Sequence, residues 1–557
     1  MSFRLTLHAS RLTPHLLSLL LLLYFWAVGL ANLDRFPKIH EDESWQAAPG
    51  YSFWAEGRFG TDLFAGFYGM EQHYYGFMPL FPILVGGALH LFGLGLFQAR
   101  LVPLALILLT LAWTHRLGTK LFSPWHGTLA VAILTTWRIA GPFPHLPSGI
   151  PLADVARIVR YDSAVPVFGL AALLILTHSL TSDRRPKTGD RPNAPGYFLG
   201  VGFLVGLAAL SHVYGAFWLP ALLLVALWIR GWQVTRYAVI SLIGFGLALT
   251  PWLLFVASGW SDFIQQNRNY ADRFGLLDSR FYLLNLLNEV ERYDPILNGA
   301  KQSLGAWLWL ILCSLSLIWL LKRSLTGWVN ISSSNPVPGP GSPVISSRLL
   351  IAVLITLGSF FAFLLSFKTF SYLATLWPLF ALVIAAGFIH LWQTPTPRRW
   401  WRPVLALLFL LGTVEGILTS VRLHAAARQL TLYQTFTGAI AAHLPPQSRV
   451  LGLQHYWLGL AAHGQNYRSI LVPIFWTNPN YVSQPLSFAQ AAQMRPPQII
   501  LLDQIMLDFL AETAQPDHPL HQLGQDIWTY LAEQQAHLIG QLDDPTYGPM
   551  QIYELKK

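Results

Sequence analysis

Apolar runs of about 17–20 residues recur from Leu16 to Val421, separated by short polar breaks. This is the pattern of a polytopic α-helical membrane protein, since a helix needs about 20 apolar residues to cross a bilayer. The spacing predicts about eleven spans, near 15–33, 100–116, 124–142, 163–181, 197–213, 214–230, 237–257, 304–321, 349–366, 373–392 and 403–422. Met78–Phe97 is also long enough to span, but Pro79, Pro82, Gly86, Gly87, Gly93 and Gly95 interrupt it.

Loop charge decides how Met78–Phe97 is counted. If it crosses, Asp183–Arg191 and Arg398–Arg402 fall outside, against the positive-inside rule. If it is a juxtamembrane or re-entrant segment, every strongly basic loop falls inside, including His115–Lys120, Arg230–Arg236 and Lys322–Arg348. The second reading is expected, and broken backbone at that depth must then be buried in protein or line a wet cavity. The N-terminus lies inside, and loops 34–99, 143–162 and 258–303 lie outside. The first apolar run reads as a retained signal-anchor, with a cleaved signal peptide as the alternative. Asp42 lands outside either way. The Ser/Pro/Gly-rich linker Ser324–Ser347 is internal, so its sequon Asn330-Ile331-Ser332 should carry no glycan.

Beyond about residue 425 the pattern changes. Ser448–Leu453, Gln498–Asp503 and Gln551–Leu555 read as short buried strands. Ser487–Arg495, Gln504–Thr513 and Gln525–His537 read as helices. The expected organisation is a membrane domain over 1–424, with 34–99 its first external loop, and a soluble extracytoplasmic α/β domain over 425–557. No G-x-G-x-x-G, P-loop or internal repeat occurs. Asp503 ends a strand, where capping is the expected role and ligand contact the alternative.

Composition narrows the class. Of the 557 residues, 53% are hydrophobic and only 11% are charged, against about 25% charged in soluble domains. The net charge of +9 sits in short loops, so it is not a nucleic-acid signal. A single cysteine, Cys313, excludes a disulfide framework and a Cys-based metal site.

Where charge is this scarce, acids at a span mouth suggest a site. Ile39-His40-Glu41-Asp42-Glu43-Ser44-Trp45 places three carboxylates just past the first span. The plain alternative is that Asp42 caps a short helix ending at Pro49-Gly50. Trp45, Tyr51, Phe53, Trp54, Tyr68, Tyr74 and Tyr75 make the same loop aromatic. A sugar cleft combines stacking rings with a carboxylate that can take a proton from an attacking hydroxyl. Asp162 follows Arg157 and Arg160 at another span mouth. On a helix neither arginine would face Asp162 at five- and two-residue spacing, so a binding role is expected over a salt bridge. Arginine forks suit phosphate oxygens. Arg268, Arg273, Arg280, Glu289, Glu291 and Arg292 crowd the 258–300 loop, as a charged helix face or as substrate contacts. Lys368, in Phe367-Lys-Thr-Phe-Ser-Tyr372, either snorkels or meets a lipid phosphate. His212, beside Tyr214, sits at a tight turn, as a packing residue or a ligand contact.

Asp42-Glu43, Gln72-His-Tyr-Tyr-Gly-Phe-Met-Pro-Leu-Phe-Pro82, Arg100, Arg160-Tyr-Asp162, Lys368-Thr-Phe-Ser-Tyr372 and Leu376-Trp-Pro378 occur in that order before the α/β tail. In this the chain resembles the GT-C superfamily of membrane glycosyltransferases, in its protein O-mannosyltransferase and aminoarabinose transferase branch. The resemblance implies transfer of a sugar from a polyprenyl-phosphate donor to a protein, lipid or polysaccharide hydroxyl at the outer face. Asp42 would be the general base and Asp162 the second catalytic acid. Glu43, Tyr74, Tyr75, Arg157, Arg160, His212, Arg268, Glu291, Arg292, Lys368 and Tyr372 would contact substrates. No cofactor is required by the pattern, although the carboxylates could hold Mg²⁺ or Mn²⁺. Phe77-Met78 stands where the aminoarabinose branch has a charged Glu-Lys, which argues against lipid A aminoarabinose transfer itself. A transporter or flippase of a lipid-linked glycan is the alternative, opposed by the missing repeat and the near absence of charge within spans, Glu415 excepted.

Overall fold

The computed structural model describes residues 2–141, 147–182, 194–268, 277–329, 343–394 and 401–556. Asp183–Arg191, Arg273, the Asn330–Ser332 sequon and Arg398–Arg399 lie outside the described residues.

Seven described helices are long and apolar enough to cross a membrane: Leu12–Leu30, Leu96–Leu121, Tyr161–Leu180, Thr235–Ser258, Leu304–Leu325, Ile345–Leu364 and Trp401–Ala427. Three more expected spans are the shorter apolar helices Pro195–Ser211, Val213–Ile229 and Trp377–Gln393. The last, 124–142, is a helix only over Pro124–Thr136. Tyr161–Leu180 is the central span, 72% buried, whereas Leu12–Leu30 and Trp401–Ala427 are 22% and 17% buried and face outward.

Four helices frame the site: α1 (Ser2–Leu30), α2 (Glu41–Glu56), α3 (Leu80–Phe92) and α4 (Leu96–Leu121). The interrupted segment Met78–Phe97 is α3 plus the start of α4, with Gly93 between them at φ 89°. At 13 residues α3 is only about 20 Å long, short of a bilayer's hydrocarbon core. It packs on α2 through Gly50 and Gly86, where a Cβ on either would overlap the other helix's backbone. Glycine is required there for backbone to meet backbone. Helix α2 does not stop at Pro49-Gly50. It runs on to Gly57, whose φ of 74° lets its N–H cap the Phe53 carbonyl at 3.1 Å. Pro49 removes one helical hydrogen bond without ending the helix.

The C-terminal region is a five-stranded sheet in the order β2-β1-β3-β5-β4. The strands are β1 (Arg449–Gly452), β2 (Asn466–Ser469), β3 (Ile499–Asp503), β4 (His537–Asp544) and β5 (Gly548–Glu554). β1 runs parallel to β2 and β3, while β5 is antiparallel to both β3 and β4. Strand periodicity sorts the core. Val450, Ile499 and Leu501 join the core shared with the membrane body, while Leu451, Ile500 and Leu502 face a second core with Met506, Ile527 and Leu531. Two strands escape the sequence reading. Three of the four β2 residues are buried, but they are Tyr467, Arg468 and Ser469, which give no apolar run. β4 begins where the helix was expected to end, because the helix stops at Glu533 and Gln535 turns left-handed at φ 47°.

The sheet domain is fastened to one end of the helical body. Trp476 Nε1 donates to the Gly66 carbonyl at 2.9 Å, and Arg495 pairs with Glu71 at 2.9 Å. Lys38 lies over the Tyr547 ring at 5.5 Å. The α2 N-terminus and the Arg160–Ser163 turn open at this same end.

Candidate active site

At the head of α2, His40 is the N-cap. Its Nδ1 accepts from the Asp42 N–H at 3.1 Å, and Glu43 reaches back to the His40 N–H at 2.8 Å. This capping box fixes where the three acids point. Glu43 turns inward and is fully buried. Arg100, also fully buried, grips it with two hydrogen bonds of 2.6 and 2.8 Å. The rest of the guanidinium donates to the Leu33 and Pro37 carbonyls at 2.8 and 2.9 Å. Glu43 Oε2 also accepts from the Val159 N–H at 3.1 Å. Every charge in this knot is answered, so Glu43 positions chain segments and offers no free oxygen to a substrate.

Asp42 points the other way. It is 21% exposed and lies 3.6 Å from Arg160. Arg160 in turn lies 3.0 Å from Asp162, which is fully buried. Arg160 and Asp162 therefore form the salt bridge that helical spacing appeared to forbid. The reason is local: Arg160 is extended at φ −140°, ψ 143°, and Tyr161–Ser163 is a single 3₁₀ turn. The two side chains thus never sit on a regular α-helical face. The Arg160 Nε–H is not aligned on Asp162 Oδ2 for a hydrogen bond, so the contact is ionic only. Burial alone would lower the Arg160 pKa, but Asp162 and Asp42 hold it above its ordinary value. Burial and Asp42 push Glu41 upward, against the pull of Arg160.

Tyrosines wall this arch. Tyr214 donates to Asp162 Oδ1 at 3.1 Å. The Tyr161 and Tyr372 hydroxyls meet at 3.1 Å, and His212 stacks on Tyr161 at 4.1 Å between centroids. His212 Nδ1 accepts from the Tyr214 N–H at 3.3 Å, and burial depresses its pKa to about 3, so the ring is neutral. Phe77 links Tyr161 to Trp45, continuing the aromatic lining toward α2.

The remaining candidates divide. Tyr74 is fully buried, within electrostatic range of Asp42. Tyr75 belongs to a different cluster, donating to the Phe255 carbonyl at 3.2 Å among Trp252 and Phe263. Arg157 does not face the arch. Its guanidinium donates to the Val28, Gly29, Ala31, Asn32 and Phe36 carbonyls at 2.7–3.1 Å, closing the end of α1. Arg268 and Glu291 are exposed. Arg292 and Lys368 both meet Glu289, at 2.8 Å each. Sequence reasoning missed Arg100 as a partner of Glu43 and Tyr161 as a wall residue. A lone arginine opening an apolar span was the available signal, since it demands a buried acid.

The arch does not fit a divalent cation as built, because the Arg160 guanidinium fills the space between the carboxylates. Among the described residues no group of three or more His, Cys, Asp or Glu side chains gathers as a metal site.

No family model and no curated protein matches the chain. Solved structures do. ArnT from Cupriavidus metallidurans bound to undecaprenyl phosphate superposes with a TM-score of 0.54 at 14% identity, covering 96% of this chain and 97% of its own. The Archaeoglobus fulgidus oligosaccharyltransferase in complex with Zn and sulfate gives 0.55 at 13% identity, covering 96% of this chain and 73% of its own. The archaeal oligosaccharyltransferase AglB from Archaeoglobus fulgidus, in complex with an inhibitory peptide and a dolichol-phosphate, gives 0.53 at 11% identity, over 89% and 71%. The chain is a polytopic helical membrane protein with a C-terminal α/β domain, and it shares the fold of ArnT and the Archaeoglobus fulgidus oligosaccharyltransferase.

Proposed function

We propose that the protein is a membrane glycosyltransferase that moves a sugar from a polyprenyl-phosphate donor to a hydroxyl acceptor. The observation that carries this reading is the Asp42–Arg160–Asp162 arch at the mouth of the central span. Asp42 is the one acid of the arch with solvent access. It takes the acceptor's proton as that oxygen attacks the anomeric carbon, with inversion, while the lipid phosphate leaves. Asp162 holds Arg160 in place and keeps its positive charge close to Asp42. Tyr161, Tyr372 and His212 offer flat faces to a sugar ring, and Arg292 and Lys368 offer cations to the departing phosphate.

Undecaprenyl phosphate in ArnT and dolichol-phosphate in AglB support a lipid-phosphate donor here. In this reading residues 1–424 are the catalytic membrane domain. Residues 425–557 form an extracytoplasmic domain above the site, and the acceptor is a protein, lipid or polysaccharide. The test compares lipid-linked sugars and surface glycans in cells carrying wild type, Asp42→Asn or no protein. Asp42→Asn is expected to match the deletion, accumulating one lipid-phosphate sugar and losing one glycan residue. Wild-type glycans at normal protein level would remove Asp42 as the base.

A further inference from the structure

One charged cluster beside the arch has a geometry that its packing role does not require. Glu289 accepts from Arg292 Nε at 2.8 Å and Nη2 at 3.2 Å, and from Lys368 Nζ at 2.8 Å. Two oxygens thus meet a guanidinium edge and an ammonium, the arrangement that phosphate oxygens adopt between Arg and Lys. Both cations are held by the backbone independently of Glu289. Arg292 donates to the Phe361, Phe367 and Thr369 carbonyls at 3.2–3.4 Å, and Lys368 to the Ala362 carbonyl at 3.0 Å. Burial lowers the Lys368 pKa and the Glu289 carboxylate opposes that shift, so an anion at this position favours the charged ammonium.

The cluster connects to the arch through one aromatic layer. Arg292 lies over the Phe361 ring at 5.7 Å, Phe361 meets the Tyr214 ring at 5.3 Å, and Tyr214 holds Asp162. The turn that carries Glu289 and Arg292, and the helix before it, present an open apolar surface. Leu283, Leu286, Leu287 and Val290, on the helix Ser279–Leu287 and the turn after it, are 40–66% exposed. A ligand with a phosphate head and a hydrocarbon tail matches both halves of this surface.

We infer that Glu289 is a built-in stand-in for the phosphate group, occupying Lys368 and Arg292 until a phosphate monoester displaces it. The displacement is an exchange of one anion for another, with no bond made or broken. It rests on the proposed lipid-phosphate donor and adds to it an internal competitor that weakens phosphate binding and hastens release.

The test measures binding of undecaprenyl phosphate to the purified full-length chain. Glu289→Gln is expected to bind at least tenfold tighter than wild type, and Lys368→Gln added to it should abolish the gain. Inorganic phosphate is the second probe. A gain with both probes assigns the site to the phosphate group alone, and a gain with the lipid only assigns it to head and tail together. A folded Glu289→Gln chain with unchanged or weaker affinity overturns the inference, as does a gain that survives Lys368→Gln. If Glu289→Gln does not accumulate, Glu289→Asp keeps the charge on a shorter arm and should show a smaller gain, and no gain overturns the inference. Wild-type binding without a Glu289→Gln gain sinks only the displacement. No wild-type or variant binding, with normal product from Asp42→Asn, sinks the transferase reading as well.

Discussion

Asp42 and Glu43 are neighbours on one helix, yet their surroundings are opposite. The Glu43–Arg100 knot is dry and closed: both side chains are fully buried and the carboxylate meets four donors within 3.1 Å. The Asp42–Arg160–Asp162 arch is partly open, with one contact at 3.6 Å and another that is not aligned as a hydrogen bond. A closed ion pair fixes geometry, and an open one leaves bonding capacity for a substrate. The difference assigns structure to one carboxylate and chemistry to the other, although composition treats them alike. Four residues that the knot ties together, Leu33, Pro37, Glu43 and Val159, flank the arch on both sides in sequence. The rigid pair therefore holds the open one in register.

Neutralising each carboxylate in turn tests that division. Asp42→Asn should lower turnover by about 10²–10⁴, the usual contribution of a general base. Its stability should fall by no more than about 1 kcal/mol, because Arg160 keeps Asp162 as its buried partner. Glu43→Gln should do the reverse. It leaves the Arg100 charge buried without its partner, a loss of about 3–5 kcal/mol. Thermal unfolding in detergent should show a large drop, while turnover per folded molecule falls far less than in Asp42→Asn. Equal losses of turnover per folded molecule would erase the distinction between the two acids.

How much of this was legible in the sequence follows from the range of each interaction. The spans were legible because apolar length is a local property, and so was the scarcity that marked Asp42 and Asp162. The Glu43–Arg100 pair was not, since 57 residues separate its members and no local pattern links them. The Arg160–Asp162 bridge was misjudged because side-chain facing was argued from α-helix geometry, whereas the chain there is extended and then 3₁₀. Arg157 looked like a phosphate ligand because a charge at a span mouth does not show that a helix end nearby needs its carbonyls capped. β2 was hidden because tertiary contacts bury Arg468 and Ser469, which no hydropathy pattern marks as core.

A smaller effect sharpens the comparison from the arch's far wall. His212 must be neutral to accept the Tyr214 N–H on Nδ1, and burial beside Arg160 lowers its pKa to about 3 from an ordinary 6.5. Below pH 6.5 the unfolded chain takes up a proton that the folded chain refuses until about pH 3. The stability contributed by the neutral ring is therefore complete above pH 6.5 and declines as the pH falls toward 3. At pH 5 the loss should be about 1–2 kcal/mol, trimmed by the solvent contact the ring keeps. His212→Asn retains a side-chain acceptor for the Tyr214 N–H but cannot titrate in this range. The variant should lose less of its thermal midpoint than wild type between pH 7 and pH 5, with a constant offset between the two curves above pH 7. Parallel curves would mean that the ring is protonated in place, with its Nδ1 no longer holding the turn. The neutral wall opposite Asp42 would then have to be redrawn as a second cation beside Arg160.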